Sequence, residues 1–360
     1  GTVAIGTQAG YSLTSGAGNT LMGYRAALSA TDSVAGAVAI GYDAMYSNTD
    51  SSGNVAIGYF ALRQASGGSS RDYNVAIGYD VMRNANPHVS VGIGVYAGSY
   101  LKDGAVGAVH IGYEAGRYAS GSYNVSMGYN ALKGTSSAPY STGQSNVAIG
   151  VQALRAFTTG GDNIAIGYQS AYSLTTSNHV IAIGHSAAYS FAGAKGYGVY
   201  IGRLAGYSET GAYNDTMLGN QAGYYQNMGG AGQTYSYNTN LGYKAGYRNV
   251  TGTSNTYVGN EAGFSKTGAS NVAVGADALF GGANEVKVGD ANTAVGVTAG
   301  AYVSGDNTVH IGAYAGRFAS GSYNVSVGVR AGGGGVTSAP YSTGTNNVAI
   351  GYEALKVFTT

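Results

Sequence analysis

Apolar residues alternate with variable ones in a four-residue figure that returns twenty times along the chain. A Val, Ile or Thr is followed by any residue, then by Ile, Val, Leu or Met, and then by glycine. With that glycine as position zero, −3 is β-branched and −1 is apolar in all twenty copies, and Ala fills +3 in eighteen. The fullest copies run Asn54-Val55-Ala56-Ile57-Gly58, Asn146-Val147-Ala148-Ile149-Gly150 and Asn347-Val348-Ala349-Ile350-Gly351. Period-two alternation of β-branched residues predicts a short strand ending at each glycine. The interval between glycines is short throughout, at its narrowest between pairs such as Gly78 and Gly94 and at its widest between pairs such as Gly328 and Gly351. Each unit is therefore too small to bury its own apolar face and must stack on its neighbours. The pattern predicts an all-β parallel solenoid, a β-roll of about twenty short coils, as one continuous domain over residues 1–360.

The residue types suggest a register. Position −2 is Ala in ten copies but also Leu21, His110, Tyr200, Asn240, Tyr257 and His310. Such variety points outward and leaves −3 and −1 inside. The expected core is then Val55, Ile57, Val147, Ile149, Val348 and Ile350, with Ala61, Ala153 and Ala354 at +3 in an interior too narrow for more than a methyl group. Asn fills −4 in twelve copies, among them Asn54, Asn74, Asn124, Asn146, Asn163, Asn271, Asn324 and Asn347. At the ~4.8 Å spacing of paired strands these can form an amide ladder between coils. Asn also tolerates a left-handed turn before a strand, and both roles can hold at once.

A longer repeat overlies the short one. Val109-His110-Ile111-Gly112 returns as Val309-His310-Ile311-Gly312, and Ala138-Pro139-Tyr140-Ser141 returns as Ala339-Pro340-Tyr341-Ser342. The chain divides into two related super-repeats, about 1–198 and 199–360, the second cut short.

Composition narrows the function classes. Charged residues make up 9% of the chain, against a usual ~25%. The net charge is +1 and the cations are scattered singly, so no basic patch invites nucleic acid or anionic lipid. There is no Cys, which removes disulfides and thiolate metal sites. No apolar run approaches the ~18 residues of a membrane helix, so this segment is not expected to enter a membrane.

The Asn-Val-Ala-Ile-Gly core resembles the head repeat of YadA-type trimeric autotransporter adhesins, and related repeats in tail-fibre and bacterial surface proteins. The resemblance spans the chain but rests on one short motif. It implies a left-handed parallel β-roll, a homotrimer and a place outside the cell. The coils here, such as the one from Gly41 to Gly58, are longer than that family's, and a larger coil can enclose its own core.

Candidate chemistry is sparse. The carboxylates stand singly, most at a +2 site read as exposed (Asp43, Asp80, Glu114, Glu261, Asp277, Glu353), and the five histidines lack metal-ligand spacing. No cofactor or metal motif appears, and the sequence points away from an enzyme. Tyrosine fills +1 in nine copies; Tyr42, Tyr59, Tyr79, Tyr113 and Tyr129 form a candidate surface ladder that either meets sugar rings or another filament, or simply covers the roll. The Pro-containing spacers offer candidate O-glycan hydroxyls at Ser136, Ser137, Ser141, Thr142, Thr337, Ser338, Ser342 and Thr343. The expectation is a structural repeat protein: the shaft of an extracellular or cell-surface fibre serving adhesion, with glycans or a host surface as partners and copies of itself as neighbours. The alternative is a phage tail-fibre shaft on a virion, and a β-helix enzyme acting on carbohydrate comes third. Joining Thr360 to Gly1 restores a repeat-like sequence, which predicts head-to-tail continuation.

Overall fold

A computed structural model describes residues 1–31, 34–49, 52–64, 72–101, 105–136, 140–191, 196–209, 214–226, 236–265, 268–281, 288–334 and 342–357. The chain is all-β, and no helix occurs among the described residues. It divides into two units, Gly1–His179 and Val180–Thr360. Each unit is a β-solenoid carrying, among the described residues, ten strands of three residues, from Val3–Ile5 to Ile164–Ile166 in the first and from Ile181–Ile183 to Val348–Ile350 in the second. Every strand occupies −3 to −1 of the repeat. Pairing is parallel and in register, Val38 on Val55, Ala39 on Ala56 and Ile40 on Ile57, so each motif position forms a column.

The strand is the short part of a longer ladder. The N–H of Gly41 donates to Met22 O (2.8 Å), that of Asp43 to Tyr24 O (3.0 Å) and that of Met45 to Ala61 O (3.0 Å). The turn after the glycine thus keeps bonding between coils, which satisfies backbone groups that a plain loop would leave to water. The geometry depends on positive φ at alternate residues, such as Asp43 (52°) and Met45 (55°). The anchoring glycine is obligatory for a second reason. A Cβ on Gly41, whose φ is 137°, would collide with the carbonyl oxygen of Gly58 in the next coil.

The register is opposite to the sequence expectation. Ala56, Ala148 and Ala182 at −2 are fully buried, as are Leu21, His110, Tyr200, Asn240, Tyr257 and His310. Val55, Ile57 and Val147 are half-buried and Ile149 is 36% exposed; Val348 and Ile350 are exposed. These six residues form the outer face of the sheet instead of the core. The varied side chains at −2 are accommodated inside because +4, directly opposite, varies in compensation. Where −2 is Ala39, Ala56, Ala76 or Ala148, +4 is Met45, Leu62, Met82 or Leu154, all fully buried. Where −2 is His110, Tyr200, Met217, Asn240, Tyr257 or His310, +4 is glycine. A Cβ on Gly116 would run into the His110 ring, one on Gly206 into Tyr200 and one on Gly263 into Tyr257. In these layers bulk at one position is matched by a small residue at the other, as close packing requires, whereas Gly92 with Gly98 and Ala294 with Gly300 are small at both. The +3 column is interior as expected: Ala61 and Ala153 are fully buried, while Ala354 is half-buried.

The asparagine ladder forms. Asn146 Oδ1 accepts the Asn163 N–H (3.1 Å) and side-chain amide (3.0 Å), while Asn146 Nδ2 donates to Gly160 O (2.9 Å) and Asn124 Oδ1 (3.2 Å). The same linkage joins Asn54 to Asn74 (2.8 Å), Asn271 to Asn292 (2.8 Å) and Asn324 to Asn347 (2.9 Å). The left-handed residue is the one before it, at −5, including Tyr73 (61°), Ser145 (56°) and Ser270 (61°). Asn is therefore at −4 for its hydrogen bonds and not for tolerance of a left-handed turn.

Candidate functional site: the outer face

Two features run along the outside of the stacks. The first is the strand face itself. Its −3 and −1 columns hold only Val, Ile, Leu, Met and Thr, and Met22, Met127, Leu218, Leu241 and Ile311 are 41–42% exposed. Ten strands at ~4.8 Å spacing, each about 10 Å long, make a flat apolar face of roughly 500 Å² in each unit. That is near the upper end of the largest apolar patch on a typical monomer.

The second is aromatic. In the first unit Tyr24, Tyr42, Tyr59 and Tyr79 stack with ring centroids 5.1, 5.1 and 5.2 Å apart. Tyr113 and Tyr129 continue the column at 5.2 Å. Between them, where +1 is Val95, the Tyr96 ring meets Tyr79 and Tyr113 edge-on. All five tyrosines singled out from the sequence stand in this column, each 40–49% exposed. Their faces turn toward one another, so solvent meets ring edges and hydroxyls. This geometry favours a covering ladder over flat stacking of sugar rings. In the second unit the continuous column lies further along the turn, with Tyr189, Tyr207, Tyr224, Tyr247 and Phe264 at 5.1, 5.0, 5.4 and 5.1 Å.

Sequence reasoning missed the cations threaded between these rings. Arg25 binds Asp43 through both Nε and a terminal nitrogen at 2.8 Å while lying 4.9 Å from the Tyr24 and Tyr46 centroids. Arg63 reaches the same carboxylate at 3.2 Å. Glu114 pairs with Arg117 and with Lys133 at 2.6 Å. Asp43, Asp80 and Glu114 are consequently buried, and Glu261, Asp277 and Glu353 are half-buried. This corrects their reading as exposed: cations of the same or flanking coils cover and neutralise the buried three. The signal was present in the sequence, where acids at +2 (Asp43, Asp80, Glu114) stand in the same coil as, or one coil from, cations at +5 (Arg63, Arg83, Arg117, Lys133). Other expected sites disperse. Ser141 and Ser342 are buried, each in a β-bridge, and Ser141 Oγ donates to Phe157 O at 2.7 Å. They are structural hydroxyls and not glycan acceptors. Ser136, Thr142 and Thr343 are exposed; Ser137, Thr337 and Ser338 lie outside the described residues.

The interior also holds ionisable groups. His110 Nδ1 lies 2.8 Å from Ser126 Oγ, and burial pushes both His110 and His310 down to about 4. Asp215 replaces asparagine in the ladder, taking bonds from Gln226 and Ser236 (2.6 Å each) and from the Asn238 N–H (2.7 Å). Burial pushes its carboxyl up to about 7 against those hydrogen bonds. Among the described residues no group of three or more His, Asp or Glu could hold a metal ion, and no helix is long and apolar enough to cross a membrane. No family model, curated protein or solved structure matches this chain.

Proposed function

We propose that this chain is a structural repeat segment of an extracellular fibre, on a cell surface or a virion, whose copies associate side by side through the strand face as a homotrimer. The outward columns at −3 and −1 carry the proposal. Parallel sheets occur almost only with both faces covered, and here one face is covered from within while the other is apolar and bare in a single chain. A partner touching every coil equally must repeat at the same spacing, and another copy of the chain meets that requirement. Trimeric closure is what the resemblance to autotransporter heads adds. Low charge, absence of cysteine and dense polar side chains suit a long exposed filament whose service is adhesion.

The test is oligomeric state. Sedimentation equilibrium of the full chain should give a trimer. A double variant, Ile57→Lys with Ile149→Lys, should sediment as a monomer while its far-ultraviolet circular dichroism stays unchanged, because both side chains point outward. A monomeric parent chain would sink the lateral association. Immunogold labelling with an antibody to this segment should decorate filaments; label confined to the cell interior would sink the fibre.

A further inference from the structure

The aromatic column of the second unit runs on from Phe264 through Phe280 and Tyr302 to Phe318, and there it ends among the described residues. Arg317 and Phe318 occupy the side of one coil and Lys356 and Val357 the side of the coil two layers on. Between them stand Gly333 and Gly334, which carry no side chain. A Cβ on Gly334 would strike the Phe318 carbonyl, and one on Gly333 would sit 2.9 Å from Lys356 O. The gap is a groove of about 470 Å³ lined by Tyr314, Arg317, Phe318, Arg330, Lys356 and Val357, a volume within the usual range of ligand sites.

The corresponding place in the first unit shows what has changed. There Arg117 is held by Glu114, and Lys133, also bound to Glu114, fills the position that is Gly333 in the second unit. At the position of Glu114 the second unit has Tyr314. Arg317 accordingly has no carboxylate partner among the described residues, and its guanidinium lies 4.5 Å from the Phe318 centroid and 5.7 Å from that of Tyr314. Arg330 and Lys356 share Glu353, at 3.1 and 2.9 Å. Three cations thus face one carboxylate beside two aromatic rings. Two substitutions between related coils have released an arginine and opened room in front of it.

We propose that this groove binds a carboxylate-bearing sugar of an acidic polysaccharide. The carboxylate would pair with the planar Arg317 fork, a geometry that suits it bidentately, and the pyranose would lie against Phe318 and Tyr314. Lys356 and Arg330 supply the field that draws an anionic chain toward the groove. The inference rests on the groove alone and does not depend on the fibre proposal.

Titration calorimetry of the full chain with trigalacturonate, its methyl ester and a sulfated neutral trisaccharide tests it. Binding is expected for trigalacturonate and should be lost with the ester, which keeps the rings and removes the charge. Arg317→Gln should weaken it roughly tenfold to a hundredfold, the loss of one charge-assisted pair. Tyr314→Glu, which restores the pairing seen at Glu114, should do the same without lowering the thermal midpoint. Arg117→Gln should leave affinity unchanged. Absence of binding, equal binding of the ester, indifference to both groove variants or preference for the sulfated sugar would each overturn the assignment.

Discussion

A methyl group is the largest side chain that most +3 sites admit, and this sets the sharpest constraint at the residue scale. Ala153 is fully buried and lies beside Leu154 in a layer whose volume is already balanced by Ala148. Ala153→Leu should destabilise the protein by about 1–3 kcal/mol through overpacking, measured as a lowered denaturation midpoint; an unchanged midpoint would show slack in the interior. His110 makes a second residue-scale prediction. Its folded pKa of about 4 lies below the ordinary value of 6.5, so the unfolded chain binds the proton first as pH falls. Its contribution is fully present above 6.5, declines between 6.5 and about 4, and levels off below, with a total on the order of 3 kcal/mol. His110→Asn, which reproduces the Asn240 and Gly246 pairing, should flatten that slope in thermal unfolding from pH 7 to pH 4. A slope equal to the parent's would assign the acid sensitivity elsewhere.

At the scale of the element, each strand is too short to be stable alone. What holds each coil is the ladder on both sides of it: the turn's N–H groups bonding between coils, and asparagine bridging adjacent layers before the strand begins. Asn146 is tied to the coils of both Asn124 and Asn163. Asn146→Ala should therefore cost about 2–3 kcal/mol, more than one ordinary hydrogen bond, because buried backbone groups lose their partner. Urea denaturation checks this, and a loss within about 0.5 kcal/mol, the range of an ordinary surface change, would reduce the ladder to a packing preference. The strands and their bounds were legible in the sequence, since β-branched residues and an obligatory glycine mark each copy. The asparagine ladder was legible too, its alternative failing because the left-handed residue stands one place earlier. Arg25 and Arg63 were overlooked because their partner Asp43 belongs to another coil and only stacking makes them neighbours, whereas Arg83 and Arg117 stand three residues from Asp80 and Glu114 in their own coils.

At the scale of the whole molecule, the repeat by itself determined the class of fold: a figure returning at such short intervals can bury its apolar side chains only by stacking. It determined equally that −3 and −1 share one face and −2 the other, because a strand alternates. Which face turns inward was decided only by the tertiary structure. Apolar character argued for Val and Ile inside, yet the closed coil brings +3 and +4 close against the strand, and the mostly small side chains of the −2 column fit between them. The β-branched columns are left outside. The volume exchange between −2 and +4, alanine against leucine and tyrosine against glycine, was written in the sequence all along, but it acquires meaning only once the turn has folded back across the strand. The groove at Arg317 belongs to the same category. Tyr314 and Gly333 read as two ordinary substitutions until stacking places them beside one arginine that has no carboxylate partner among the described residues.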